Sequence, residues 1–371
     1  MKSEEITKAK TIPLSRRNLS RDNHYLPQMY LSGWSADGKS LWVHRNLVFN
    51  ENCPEWEDRP LKHTGMWKNL YVRVADNQER DDYELMFNRR FETPADAPMK
   101  AARNDERLTP ADWRAIIRFI CAQHVRTPAY YVSTIQTISE AAQEAIEKST
   151  KALQNMTEPL APSVSEEGSV VQDLIPISMT FSDLNDSQSA VKVETTIGKG
   201  AWLFAIHHHL EEGSPFLNAL CAFKWSIATA PDGYSWPTSD NPLVLGSLLA
   251  DQRSICVSGI NNANVILFPI SSQKLLITTP GRRLPPRFTA SEHEAKAWIE
   301  LIVKNSFLYL YSIKSDASIL DYKQRVVDLQ EAKRLQEEFD SWYDMYQEKE
   351  APFLTKKYRV IEKRAHTEQI I

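Results

Sequence analysis

The stretch from Leu108 to Pro128, LTPADWRAIIRFICAQHVRTP, constrains the architecture more than any other. It reads as one helix. Thr109 is a good N-cap, Pro110 stands at the first helical position, and Asp112 sits near the positive end of the dipole. Pro128 supplies the stop, and the residue before it is pushed out of the helical region. The apolar stripe runs Trp113, Ile116, Ile117, Ile120. At the same spacing it continues into Gln123, His124 and Thr127, with Arg126 three residues after Gln123. Such a helix either surfaces at its end or turns its last turn toward a buried polar interior. The second reading is preferred, because two other polar clusters are available to meet it.

Length and composition allow a sizeable core. The chain has 371 residues, 42% of them hydrophobic and 25% charged, which places it among ordinary globular proteins. A net charge of −4 advertises no global field for nucleic acid. Cys53, Cys121, Cys221 and Cys256 are far apart, so neither a structural zinc nor a disulfide framework is expected. MKSEEITKAK lacks the apolar stretch of a signal peptide, and no run approaches the roughly 18 apolar residues of a membrane helix. The expected compartment is the cytoplasm, without membrane association.

Taken in order, residues 1–20 read as a loose arm. Leu41–Val43 is a strand candidate after the Asp37-Gly38 turn signal, and 70–74 is another. Helical spacing sets in at Asp81, with Tyr83, Phe87 and Phe91, and a helix is expected over about 130–156. Residues 157–198 read as a variable insertion holding a strand near Ile175–Phe181. Lys199–Ala222 reads as one amphipathic helix. The period then switches to two: strands at Lys224–Ala230, around Val265 and around Lys274, with Asp232-Gly233 as a hairpin turn, and a last strand from Phe307 after a helix over Ser291–Phe307. A long helix from Asp321 to about Lys349 and a basic tail complete a C-terminal part, 317–371. The fold class is α+β: a single domain over 21–316, whose mostly antiparallel sheet (about 224–313, joined by N-terminal strands) packs on helices from 82–156 and 199–222.

Each polar cluster has a functional and a structural reading. His24, with Gln28 in an aromatic setting, is a general base or a satisfied core histidine. Arg126 faces a bound anion, or it pairs with Glu92 or Asp240 and pins a helix. Thr238-Ser239-Asp240-Asn241-Pro242 is a turn bonded to its own backbone, or a presented catalytic loop. In the acidic set Asp81, Asp82, Glu84 and Glu92, the helix dipole explains Asp81 and Asp82, whereas Glu92 follows Phe87 and Phe91 and can turn inward. A divalent ion would need two or three such oxygens, and no spacing identifies them. His207-His208-His209 point in three directions and cannot form one metal site. Phosphate loops, nucleophile elbows and zincin motifs are absent from the sequence.

The set HYLPQMYL (24–31), Gln123-x-x-Arg126-Thr127-Pro128, TSDNP (238–242), FPIS (268–271) and Asn305 resembles the bacterial domain-of-unknown-function 4238 family over about residues 22–315. The resemblance implies no established chemistry. It implies an association with anti-phage defence, and it marks His24, Gln28, Glu92, Gln123, Arg126, Ser239, Asp240, Asn241 and Asn305. The expectation is a defence effector, foremost a nuclease on RNA or DNA. In it His24 is acid or base, Arg126 binds the scissile phosphate, and Asp240 or Glu92 orients the histidine or holds a divalent metal ion. Gln28, Gln123, Thr127, Ser239, Asn241 and Asn305 place the substrate. The alternatives are a non-enzymatic sensor or binding module, and a hydrolase of a small nucleotide-like metabolite. Nucleic acid and a second copy docked through the C-terminal helix are the expected partners.

Overall fold

The computed structural model describes residues 21–75, 78–154, 177–183, 191–197, 199–249, 254–257 and 259–340. The expected arm at 1–20, most of the insertion and the tail beyond 340 lie outside the described residues.

The chain enters through a short strand, β1 (Asp22–His24), and one turn of helix, α1 (Gln28–Leu31). Strands β2 (Ser40–Arg45), β3 (Leu47–Val48), β4 (Glu57–Pro60), β5 (Met66–Lys68), β6 (Arg73–Ala75) and β7 (Gln78–Arg80) follow. Helix α2 (Asp82–Phe87) runs through a π-helical turn, Asn88–Glu92, into α3 (Thr93–Arg103). Next come α4 (Pro110–Val125), α5 (Pro128–Gln154), the β8 (Ile177–Asp183) and β9 (Val191–Ile197) pair, α6 (Lys199–Leu210) and α7 (Pro215–Ala222). The C-terminal half holds β10 (Ser226–Thr229), β11 (Thr238–Ser239), β12 (Val244–Leu248), β13 (Ser254–Cys256), β14 (Val265–Pro269), β15 (Lys274–Thr278) and β16 (Arg287–Thr289). Helix α8 (Glu292–Asn305), β17 (Tyr309–Ser312), β18 (Val326–Val327) and α9 (Leu329–Asp340) follow.

The fold is α+β. Six strands form a sheet in the order β13-β12-β14-β15-β10-β16, antiparallel except for the β10–β16 pair. The N-terminal strands join a second antiparallel sheet, β11-β17-β2-β4, rather than extending the first. Both faces of the larger sheet are covered. Ile227, Leu245, Ile266, Phe268 and Leu276 point to one core with α4, α6 and α7. Their neighbours Ala228, Val244, Val265, Leu267, Leu275 and Ile277 point to another with Trp298, Leu301 and Ile302 of α8. Two covered faces explain why VILFP and KLLIT lack polar alternation. Lys274 is the exception; its ammonium bonds Asp105 and Thr229.

Helix α4 forms as its sequence dictates. Thr109 and Asp112 make a reciprocal capping box. Gln123, Arg126 and Thr127 are buried, so the last turn faces inward.

Three expectations are corrected. Lys199–Ala222 is two helices, because Gly213 adopts a positive φ and Ser214-Pro215 begin a new capped helix. Asp232-Gly233 makes a turn but no hairpin: β10 pairs with β15 and β16, and Pro237 cannot donate to a ladder. The C-terminal helix begins at Leu329, not Asp321; Ala317–Tyr322 is a 3₁₀ turn and Val326–Val327 pair with β3. Its reach beyond Asp340 lies outside the described residues. No helix among the described residues is long and apolar enough to cross a membrane.

Candidate functional site

The ribbon of β1 and β5 brings the N-terminal segment against the π turn and the end of α4. Register pairs Asn23 with Trp67 and His24 with Met66. The segment is held from below: Tyr30 bonds Thr238 Oγ1 at 2.7 Å and the Pro269 carbonyl at 2.9 Å, and Trp34 donates to the Trp236 carbonyl. Arg103 donates to the carbonyls of Met29, Tyr30 and Ile270. Gly33 leaves no room for a side chain there, since a Cβ would lie 2.5 Å from the Ile270 carbonyl oxygen.

A cleft of about 360 Å³ opens beside this ribbon, lined by His24, Pro27, Gln28, Met29, Glu84, Asn88, Glu92, Thr93 and Asp96. That volume suits a small ligand. Glu84, Asn88, Glu92 and Asp96 recur every four residues. In a regular helix each such step overshoots a turn by about 0.4 residue, so the set would spiral away from one face. The wider π turn at Asn88–Glu92 takes up that overshoot, and all four line one cleft.

The electrostatics separate the carboxyls. Burial pushes Glu84 up to about 7, and the nearby Glu92 charge adds to it; Arg126 and a hydrogen bond from Asn23 Nδ2 at 3.3 Å oppose it. Asn23 is fully buried and accepts from the Tyr71 backbone N–H, which fixes it. Glu92 is ion-paired instead, accepting from Arg126 Nη1 at 2.5 Å. Asp96 pairs with Lys100. Burial lowers His24, partly offset by the Lys62 backbone carbonyl that the ring bonds. His24 Nε2 is shielded from solvent and has no hydrogen-bond partner among the described residues. No lysine or arginine stands among the described lining residues.

Arg126 lies beneath the cleft rather than in its lining. Its guanidinium donates to Glu92 and, through Nε and Nη2, to Gln123 Oε1 at 3.0 and 2.6 Å. It packs against the Phe87 and Phe119 rings. Gln123 in turn donates to the Tyr25 carbonyl at 2.6 Å. The chain Glu92–Arg126–Gln123–Tyr25 therefore ties the π turn, α4 and the His24 segment together. Of the two partners foreseen for Arg126, Glu92 is the one it meets.

The other expected site residues lie elsewhere. Thr127 caps α5, accepting from the Tyr130 N–H. Asp240 is buried in the turn after β11, where its carboxylate accepts from the backbone N–H groups of Phe307, Leu308 and Tyr309. Burial raises it to about 6, against those bonds and the Lys323 charge. Ser239 Oγ accepts from the Asn241 N–H. Asn241 and Asn305 exchange side-chain and backbone bonds, 3.1 and 2.7 Å, clasping α8 to the β11–β12 turn. None of these five lines the cleft. Sequence reasoning missed Glu84, Asn88, Thr93, Asp96 and the supporting Asn23; for Glu84, Asn88 and Asp96 the four-residue repeat was the available signal. Among the described residues no three His, Cys, Asp or Glu side chains gather as ligands for a metal ion.

An α+β protein with a cleft lined by carboxyl, amide and imidazole side chains is thereby defined. The profile of the DUF4238 family, proteins of unknown function, matches residues 22–316, and the chain belongs to that family. No curated protein and no solved structure matches it.

Proposed function

We propose that the cleft is the active site of a hydrolase working by general acid–base catalysis on a small metabolite, in the anti-phage setting that the family resemblance implies. One observation carries this reading. A carboxyl raised to about 7, Glu84, shares an open cleft with an ion-paired carboxylate, Glu92, and His24 borders them. Groups with divided protonation are what proton transfer requires. Glu84 supplies a proton to a leaving atom and the Glu92 carboxylate takes one from water. Arg126 and Gln123 hold Glu92 and the His24 segment in place.

The lining favours a small substrate over the nucleic-acid strand that a nuclease takes. A phosphate backbone is bound by lysine and arginine, and the described lining residues include neither. The test is made in cells. Wild type, Glu84→Gln and His24→Ala are induced, and RNA, DNA and the small-molecule pool are followed together. The proposal expects intact nucleic acid and depletion of one metabolite in wild type alone. RNA or DNA fragmentation absent from His24→Ala restores the nuclease. Toxicity or protection that survives both substitutions points to the non-enzymatic sensor or binding module.

A further inference from the structure

The chemistry of the lining narrows the bond that can be broken. Acyl transfer by a side chain needs a hydroxyl or thiol on the base, and His24 Nε2 carries none among the described residues. Phosphoryl transfer is favoured by lysine and arginine on the phosphate oxygens, and the described lining residues include neither. What the cleft does hold is two glutamates in unlike settings, one half-buried beside Asn23 and one paired to Arg126, with Asp96 and the amides of Gln28 and Asn88 around them. Carboxylates and amides are the natural partners of sugar hydroxyls. Pro27 and Met29 add an apolar patch for a ring to rest on.

We infer that the bond broken in this cleft is glycosidic and that the substrate is a nucleoside-like glycoside without a phosphate group in the cleft. The inference rests on the hydrolase reading and deepens it. The Glu84 carboxyl gives its proton to the leaving atom of the aglycone. The bond from the anomeric carbon to that atom breaks, and its electron pair leaves with the aglycone. Glu92 stabilises the positive charge that develops on the sugar ring. A water oxygen bonds to the anomeric carbon, and its proton passes to the Glu92 carboxylate. The products are the free sugar and the protonated aglycone, with one water consumed. The Glu92 proton and the Glu84 carboxylate re-equilibrate through solvent. Burial raises Glu84, so it starts protonated below about pH 7.

The test uses the full purified chain and Glu84→Gln, which keeps the shape of the protonated acid and its contact with Asn23. Adenosine, uridine and nicotinamide riboside are followed by proton NMR, beside 4-nitrophenyl acetate and bis(4-nitrophenyl) phosphate. The expected result is release of ribose from at least one glycoside, reduced about 100-fold or more in Glu84→Gln. The activity lost above about pH 7 in wild type then has no counterpart in the variant. Turnover confined to the ester or phosphodiester, and lost in Glu84→Gln, overturns the glycosidic inference while the hydrolase reading stands. Calorimetric titration with the cationic iminosugar iminoribitol covers the case of an untried aglycone. Binding that weakens about tenfold or more in Glu92→Gln supports a glycoside site, and binding that this variant leaves unchanged overturns the glycosidic inference; no binding, together with no turnover, overturns both readings.

Discussion

Arg126 shows how one residue sets the terms for its neighbours. Its guanidinium is buried, at 1% exposure, whereas Glu92 keeps 18% and borders the cleft. Removing either partner is therefore not equivalent. Glu92→Ala strands a buried cation and is expected to cost about 3–5 kcal/mol. Arg126→Met leaves a carboxylate that water in the cleft can reach, and it costs less. The double variant Glu92→Ala/Arg126→Met is expected to recover part of the Glu92→Ala loss, measured by urea unfolding. Strictly additive losses would show that the pair is not coupled. The inward turn of Gln123 and Arg126 was legible, because three-residue spacing extends an apolar stripe. The choice of Glu92 over Asp240 was not, since it depends on which element docks on α4. Glu84 was hidden for a different reason. Beside Asp81 and Asp82 it reads as a charge on the helix dipole, and only tertiary burial makes it an acid near neutrality.

At the scale of elements, the π turn decides whether the cleft exists. Deleting exposed Arg89 shortens that turn to regular helix and rotates α2, with Glu84, by about 100° relative to Glu92. The expected outcome is loss of turnover comparable to Glu84→Gln, with helical circular dichroism nearly unchanged. Retained turnover would mean that the Glu84–Glu92 relation is irrelevant. Boundaries marked by local chemistry were readable: Thr109 with Asp112, and Ser291 with Glu294, cap the helices foreseen there. The break before α7 carried an equally local signal in Gly213-Ser214-Pro215, masked by the apolar residues on both sides. The early start assigned to the C-terminal helix failed otherwise. Val326 fits a helical stripe, yet a partner strand distant in sequence claims it.

Over the whole molecule, the raised Glu84 carboxyl weighs on stability in a definite pH window. The sheets, the covered faces and the clasp at Asp240 and Asn305 form the scaffold on which the cleft is built. Glu84 is raised from 4.5 to about 7 in the fold, so the folded state prefers it protonated. Its contribution is fully present below pH 4.5 and is lost as pH rises through about 7; the loss is about 3 kcal/mol. Asp240, raised to about 6, acts in the same direction. Three histidines oppose it: His24, His44 and His124 are lowered, so their contribution is present above 6.5 and lost as pH falls. These terms overlap in the wild-type curve, but Glu84→Gln removes one of them alone. Relative to wild type, the variant is expected to gain about 3 kcal/mol between pH 4.5 and pH 8, read from urea midpoints at several pH values. Parallel curves would sink the assignment, because a carboxyl that titrates normally confers no such difference. A variant that is more stable at neutral pH and also inactive places the cost of the buried carboxyl in the cleft's chemistry, since the scaffold alone gains nothing from keeping it.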